Sequence, residues 1–87
     1  MVEYKFLIKA SAVKEIEAIG TKADRQRIVG RIRALVTNPR IQDSEKLAGY
    51  TDHYRIRRGQ YRIVYRIDDR RHEVTIFKVG HRKDVYR

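Results

Sequence analysis

Arginines recur in this 87-residue chain at a spacing that suits chemistry on phosphate. They sit in Tyr54-Arg55-Ile56-Arg57 and in Tyr61-Arg62-Ile63-Val64-Tyr65-Arg66-Ile67, separated by Arg58-Gly59-Gln60. Side chains on a β-strand alternate between its two faces. Arg55 and Arg57 therefore point one way and Tyr54 and Ile56 the other. Along the next strand Arg62, Val64 and Arg66 oppose Tyr61, Ile63, Tyr65 and Ile67. A connection as short as Arg58-Gly59-Gln60 makes the two strands antiparallel neighbours. Cross-strand spacing of about 5 Å then brings Arg55, Arg57 and Arg62 together. Like charges packed this way repel in the empty protein, and a bound phosphate or carboxylate relieves the repulsion. The guanidinium fork grips such groups in a bidentate way, which a lysine point charge does not. The bland alternative is a solvated sheet face with scattered charges.

The C-terminal run Val79-Gly80-His81-Arg82-Lys83-Asp84-Val85-Tyr86-Arg87 adds further candidates. Gly80 is expected to break the last strand and let the chain turn. Arg82 is placed to join the cluster, and His81 is the nearby group that titrates close to neutrality. Tyr86 offers a flat ring for stacking on a base. Lys46, Arg58, Arg66 and Lys83 are candidates for further contact with a phosphate backbone. His53 and His72 read as loop or strand-end residues. Three histidines without cysteine, and without carboxylates at ligand spacing, make a poor metal site, so no metal or cofactor is expected. No glycine-rich phosphate loop and no G-x-S-x-G element is present. Ser11 reads as a helix cap and Ser44 lies in an irregular stretch, which leaves no serine placed as a nucleophile.

The rest of the chain supplies the elements that hold these residues. Val2 to Lys9 alternates as a strand with Val2, Tyr4, Phe6 and Ile8 on one face. Ser11 opens a short helix in which Ala12, Ile16 and Ile19 share a face, and Gly20 ends it. Thr21-Lys22-Ala23-Asp24 resembles a capping box. It opens a second helix whose apolar stripe is Ile28, Val29, Ile32, Leu35 and Val36, and Asn38-Pro39 stops it. Gly30 lies inside this helix at a cost of about 1 kcal/mol relative to alanine. Close approach to the neighbouring helix is one rationale for it. Residues 40–53 read as irregular. Strands follow at Tyr54 to Arg57, Tyr61 to Ile67 and Glu73 to Val79, with a turn at Asp68-Asp69-Arg70-Arg71. The fold class is α+β in the order β-α-α-β-β-β, with a helical hairpin on one face of a mostly antiparallel sheet. The hairpin needs an apolar partner and is expected to cover the Tyr/Ile face. The arginines then gather on the uncovered face.

Length and composition bound these readings. Residues 1–87 form one small domain. Hydrophobic residues are 41% of the chain, too many for a disordered one. No apolar run approaches the roughly 20 residues of a membrane span, and the first residues lack a signal peptide's apolar core. There is no cysteine, which is compatible with a reducing cytoplasm. The net charge is +10. Residues 46–87 hold twelve basic and five acidic groups, against nine and six in residues 1–45. A basic C-terminal half suits a polyanion, or an acidic protein that covers the same surface.

Lys46-Leu47-Ala48-Gly49, Tyr54-Arg55-Ile56-Arg57, Gly59-Gln60-Tyr61-Arg62-Ile63-Val64-Tyr65, Val79-Gly80-His81-Arg82 and Val85-Tyr86 together resemble the RelE family of toxin–antitoxin toxins. The similarity covers the whole chain, and its second half carries most of the specificity. The resemblance implies a microbial-RNase-like fold and metal-independent cleavage of messenger RNA in the ribosomal A site. In that reaction the ribose 2′-hydroxyl attacks the adjacent phosphate. It also implies a RelB-like antitoxin, acidic where it wraps the toxin, through which the complex reaches operator DNA. By position the family's functional residues match Arg55, Arg57, Arg62, Arg82 and Tyr86. Some members carry lysine where this chain has Arg55 and Arg57. Lysine can act as a base, whereas arginine stays protonated. His81 is the preferred acid or base, Tyr86 is an alternative, and phosphate positioning without a base is a third. Two other functions compete: a ParE-like inhibitor of DNA gyrase, and a nucleic-acid-binding module without turnover.

Overall fold

A computed structural model of the chain describes residues 3–41, 44–49 and 52–81, the side chain of Arg58 excepted. The elements are β1 (Lys5–Ile8), α1 (Ala10–Glu17), α2 (Lys22–Ala34), β2 (Ser44–Lys46), β3 (His53–Arg58), β4 (Tyr61–Asp68) and β5 (Glu73–His81). They build one five-stranded sheet in the order β1-β5-β4-β3-β2. β1 runs parallel to β5, and the other pairs are antiparallel. The sheet is therefore mostly antiparallel, and the fold is α+β as the alternation of elements implied.

The helical hairpin covers the expected face. Ile56, Ile63, Tyr65, Ile67, Val74, Ile76 and Val79 are buried from the sheet side, and Ala12, Ile19, Ile28, Ile32 and Leu35 from the helix side. Tyr65 is fully buried, and its hydroxyl donates to the Pro39 carbonyl at 2.6 Å. This satisfies the polar end of the largest core side chain. Tyr54 stacks on Tyr65 with ring centroids 5.9 Å apart. At the same end of the sheet Arg40 grips Asp69 with two hydrogen bonds, of 3.1 and 2.7 Å, and donates to the Tyr54 hydroxyl. The Tyr4 hydroxyl donates to Asp69 at 2.8 Å.

Four local expectations are corrected. Ser11 is not a cap: α1 begins at Ala10, after Lys9, with no side-chain cap. The Lys9 amide is still bonded to the Ile76 carbonyl, so the chain passes from strand into helix with no residue to spare. The helix then ends at Glu17, before Gly20. Residues 40–53 are not all irregular, because Ser44–Lys46 adds an edge strand to β3. Gly80 does not end the last strand, which continues to His81 with Gly80 paired to Arg62. The expected cap at Thr21 is present, its hydroxyl accepting the Asp24 amide at 3.2 Å.

Gly30 is exposed on α2, and a Cβ built there meets nothing within 4 Å. Close approach of a neighbouring helix therefore does not explain it. Gly59 is different. Its φ is +60° in the two-residue turn between β3 and β4, a conformation that glycine adopts without penalty. That turn fixes the β3–β4 register, and the register sets the site.

A basic sheet face as the candidate functional site

Alternation and register together place the arginines. Arg57 lies opposite Arg62 and Arg55 opposite Val64 across β3 and β4. Their side chains stand on the face away from the helices, as the period-two pattern required. Arg66 joins the same face opposite His53. A register shift between Val64 and Tyr65 leaves Phe77 without a partner in the β4 ladder. The bulge turns Phe77 and Lys78 to the uncovered side. There Phe77 meets the His53 ring at 5.3 Å and the Lys9 ammonium at 4.4 Å.

A directly opposed Arg57–Arg62 pair is unfavourable by itself. A residue that the sequence reading missed offsets it. Glu45, on edge strand β2, is paired in register with Arg55. Its carboxylate accepts a hydrogen bond from Arg55 and lies 3.9 Å from the Arg57 guanidinium. The Arg55 hydrogen bond, followed by the Arg57 and Arg55 charges, holds the Glu45 carboxyl below its ordinary range. Arg62 acts on it in the same direction. Arg55 and Arg57 thus converge on one carboxylate, with the Arg62 charge acting on it from the neighbouring strand. Arg62 is half-buried, and its Nε has no hydrogen-bond partner among the described residues. That donor is desolvated in the empty protein, a state that an incoming acceptor would improve.

Two candidates lie elsewhere. His81 is opposite Tyr61, one residue beyond Gly80, so alternation places it on the helix side of the sheet. Its ring meets Tyr61 edge-on at 6.0 Å, and its Nε2 lies 3.0 Å from Gln60 Oε1. Lys46 pairs with Tyr54 and shares that residue's face, away from Arg55. Arg82, Lys83, Tyr86 and the Arg58 side chain lie outside the described residues. No group of three or more His, Cys, Asp or Glu among the described residues is arranged to hold a metal. No helix among them is long and apolar enough to cross a membrane.

The sheet under a two-helix hairpin matches the fold of solved RelE toxins. Residues 6–86 match the family model described as the ParE toxin of the type II toxin–antitoxin system parDE. Among curated relatives, toxin RelG of Mycobacterium tuberculosis is 58% identical over 31 residues, a stretch that spans 36% of each chain. Toxin RelE of the same organism is 29% identical over 84 residues, covering 97% of this chain and 87% of the relative. Among solved structures, the archaeal RelE–RelB complex from Pyrococcus horikoshii superposes with a TM-score of 0.82 at 28% identity, covering 98% of this chain and all of that one. The chain belongs to this family of type II toxins, within its RelE group.

Proposed function

We propose that the protein is a ribosome-dependent endoribonuclease that cleaves messenger RNA without a metal ion. The observation that carries the reading is the grouping of Arg55, Arg57 and Arg62 on one sheet face, with Arg55 and Arg57 both on the Glu45 carboxylate. In-line attack of a ribose 2′-oxygen on the adjacent phosphorus forms a new P–O bond and breaks the bond to the 5′-oxygen. The products are a 2′,3′-cyclic phosphate and a 5′-hydroxyl. Negative charge gathers on the phosphorane oxygens, and fixed guanidiniums stabilise it; one such donor contributes about 3 kcal/mol. Arg62 suits this role because its Nε is buried and has no hydrogen-bond partner among the described residues.

The reaction also needs an acceptor for the 2′-hydroxyl proton. Arginine is excluded, and His81 lies on the other side of the sheet. Among the described residues Glu45 is the carboxylate in the cluster, and it is ionised at neutral pH, so we assign it the proton. The departing 5′-oxygen takes a proton from solvent. Arg82 and Tyr86 are proposed to complete the site from the C-terminal segment, with Tyr86 stacking on a base. Arg66 and Lys83 are assigned contacts to the RNA backbone. A RelB-like antitoxin, the partner named for the Pyrococcus relative, would lay an acidic segment over the same face and exclude RNA.

The test is primer extension on a messenger RNA, with and without ribosomes. The wild-type protein is expected to create new 5′ ends only when ribosomes are present, and Arg62→Ala to create none while remaining folded. A wild-type protein that leaves the message intact but blocks DNA gyrase would overturn the reading in favour of the activity implied by the family model's ParE name.

A further inference from the structure

We infer that α2 carries a second RNA-binding surface, a docking groove for a phosphodiester backbone separate from the cleaving face. Lys22, Arg25, Gln26, Val29, Gly30 and Arg33 line an open groove of about 450 Å³ on this helix. The buried stripe of the helix, Ile28 and Ile32, points into the core, so the groove faces away from it.

Three observations converge on it. The first is charge. α2 carries five basic residues and one acid, Asp24, which pairs with Arg27 at 3.7 Å on the other flank of the helix. Lys22, Arg25 and Arg33 have no ion-pair partner among the described residues. The second is Arg25, whose Nε is buried without a hydrogen-bond partner among the described residues, as an awaiting donor would be. The third is Gly30. It is exposed in mid-helix, a position where glycine destabilises, and the fold gives no reason for it. Its missing side chain deepens the groove between the basic walls. Close approach of another molecule's backbone is a recurrent use of glycine.

The occupant follows from the lining. A protein helix or strand would need apolar anchors, and the groove offers Val29 alone. A phosphate backbone needs spaced positive donors and no apolar floor. Arg25 and Arg33 are eight residues apart, about 12 Å along the helix, so they engage separate phosphates. The cleaving face lies across the sheet from the helices. A toxin gripping structured RNA through α2 would therefore present Arg55, Arg57 and Arg62 to a different strand. This role rests on the reading of the protein as a ribosome-directed nuclease.

The experiment measures binding of the full chain to 70S ribosomes without messenger RNA, and to a 20-base-pair RNA hairpin, across a salt series. Each phosphate contact contributes a log–log salt slope of about −0.7 to −0.9. Arg25→Gln with Arg33→Gln is expected to weaken binding about tenfold or more and to flatten the slope by about 1.5. At saturating protein, cleavage of ribosome-bound message should keep its maximal rate while its half-saturation point rises. Gly30→Ala should melt at a higher temperature than wild type yet bind RNA less well. Unchanged affinity and slope in the double variant would overturn the inference. So would a loss of antitoxin affinity with RNA affinity intact, which would make the groove a protein site. If no variant cleaves, wild type included, yet the binding differences persist, the nuclease reading fails and the docking surface stands.

Discussion

Glu45→Gln separates two roles that one geometry permits. The Glu45 carboxylate lies between Arg55 and Arg57, and both arginines depress its protonation, with Arg62 adding to the effect. As the proton acceptor it contributes the 10²–10⁴-fold typical of general base catalysis. As a counter-ion it competes with the phosphate, and removing it would strengthen RNA binding. The sizes of the two effects differ. Glu45 is half exposed, at 52%, and exposed ion pairs are weak, so its release would improve binding by no more than about fivefold. The net prediction is a loss of at least about 20-fold in the single-turnover rate of cleavage on programmed ribosomes. The pH profile carries a second signature. A carboxyl held below its usual 4.5 stays ionised through the neutral range, so the wild-type rate should fall only as pH drops past that value. The variant should lack that acid limb. A Glu45→Gln protein that cleaves as fast as wild type, or faster, with the limb unchanged, would reduce Glu45 to a placeholder that leaves when RNA binds.

Other predictions concern the framework that holds the face. The Arg40 hydrogen bonds, with help from Tyr4, hold the Asp69 carboxyl down at about 2. A depressed carboxyl stabilises the fold above its unfolded value and loses that contribution as pH falls towards 2. Both partners are about half exposed, so solvent screening limits the effect to about 0.5–1 kcal/mol. Asp69→Asn should therefore lower stability at pH 7 by that amount in urea titrations, with the difference from wild type closing near pH 2. Tyr65→Phe leaves the buried Pro39 carbonyl without its donor and should cost about 1–2 kcal/mol, a fall in melting temperature of roughly 5–15 °C. Burial pushes the Tyr65 hydroxyl up to about 12, so spectroscopic titration should show one tyrosine ionising far later than an ordinary phenol. Thr21→Ala removes the acceptor for the Asp24 amide and should cost about 1 kcal/mol by thermal melts.

How much was legible in the sequence depends on where each signal lives. Strand alternation and the Gly59 turn are local, so the sequence alone places Arg55, Arg57, Arg62 and Arg66 on one face of the sheet. The hydrophobic stripe of α2 was legible at Ile28, Ile32 and Leu35, which are buried, but not at Val29 and Val36, which are only half-buried, Val29 on the outward groove. Glu45 was not legible because Ser44-Glu45-Lys46 is wholly polar and carries no strand period. Its strand exists through pairing with β3, a contact between distant residues that propensity does not encode. The side of the sheet on which His81 falls was not legible, because Gly80 reads as a strand break. A glycine in a strand usually marks a break or a bulge, but here the ladder runs through it. One further residue of alternation then carries the histidine to the helix side. Ser11 shows the same limit, because β1 pairing reaches Lys9 and leaves no room for a serine cap.

The central claim is that guanidiniums on the bare sheet face cleave RNA through its own 2′-hydroxyl. Ribosomes loaded with a message carrying a single 2′-deoxy residue at the cleavage position test it most directly, with chelator present throughout. The account predicts a 2′,3′-cyclic phosphate and a 5′-hydroxyl from the all-ribo message, and no cut at the deoxy position. Cleavage of the deoxy message at that same position, or fragments ending in a 5′-phosphate, would contradict it.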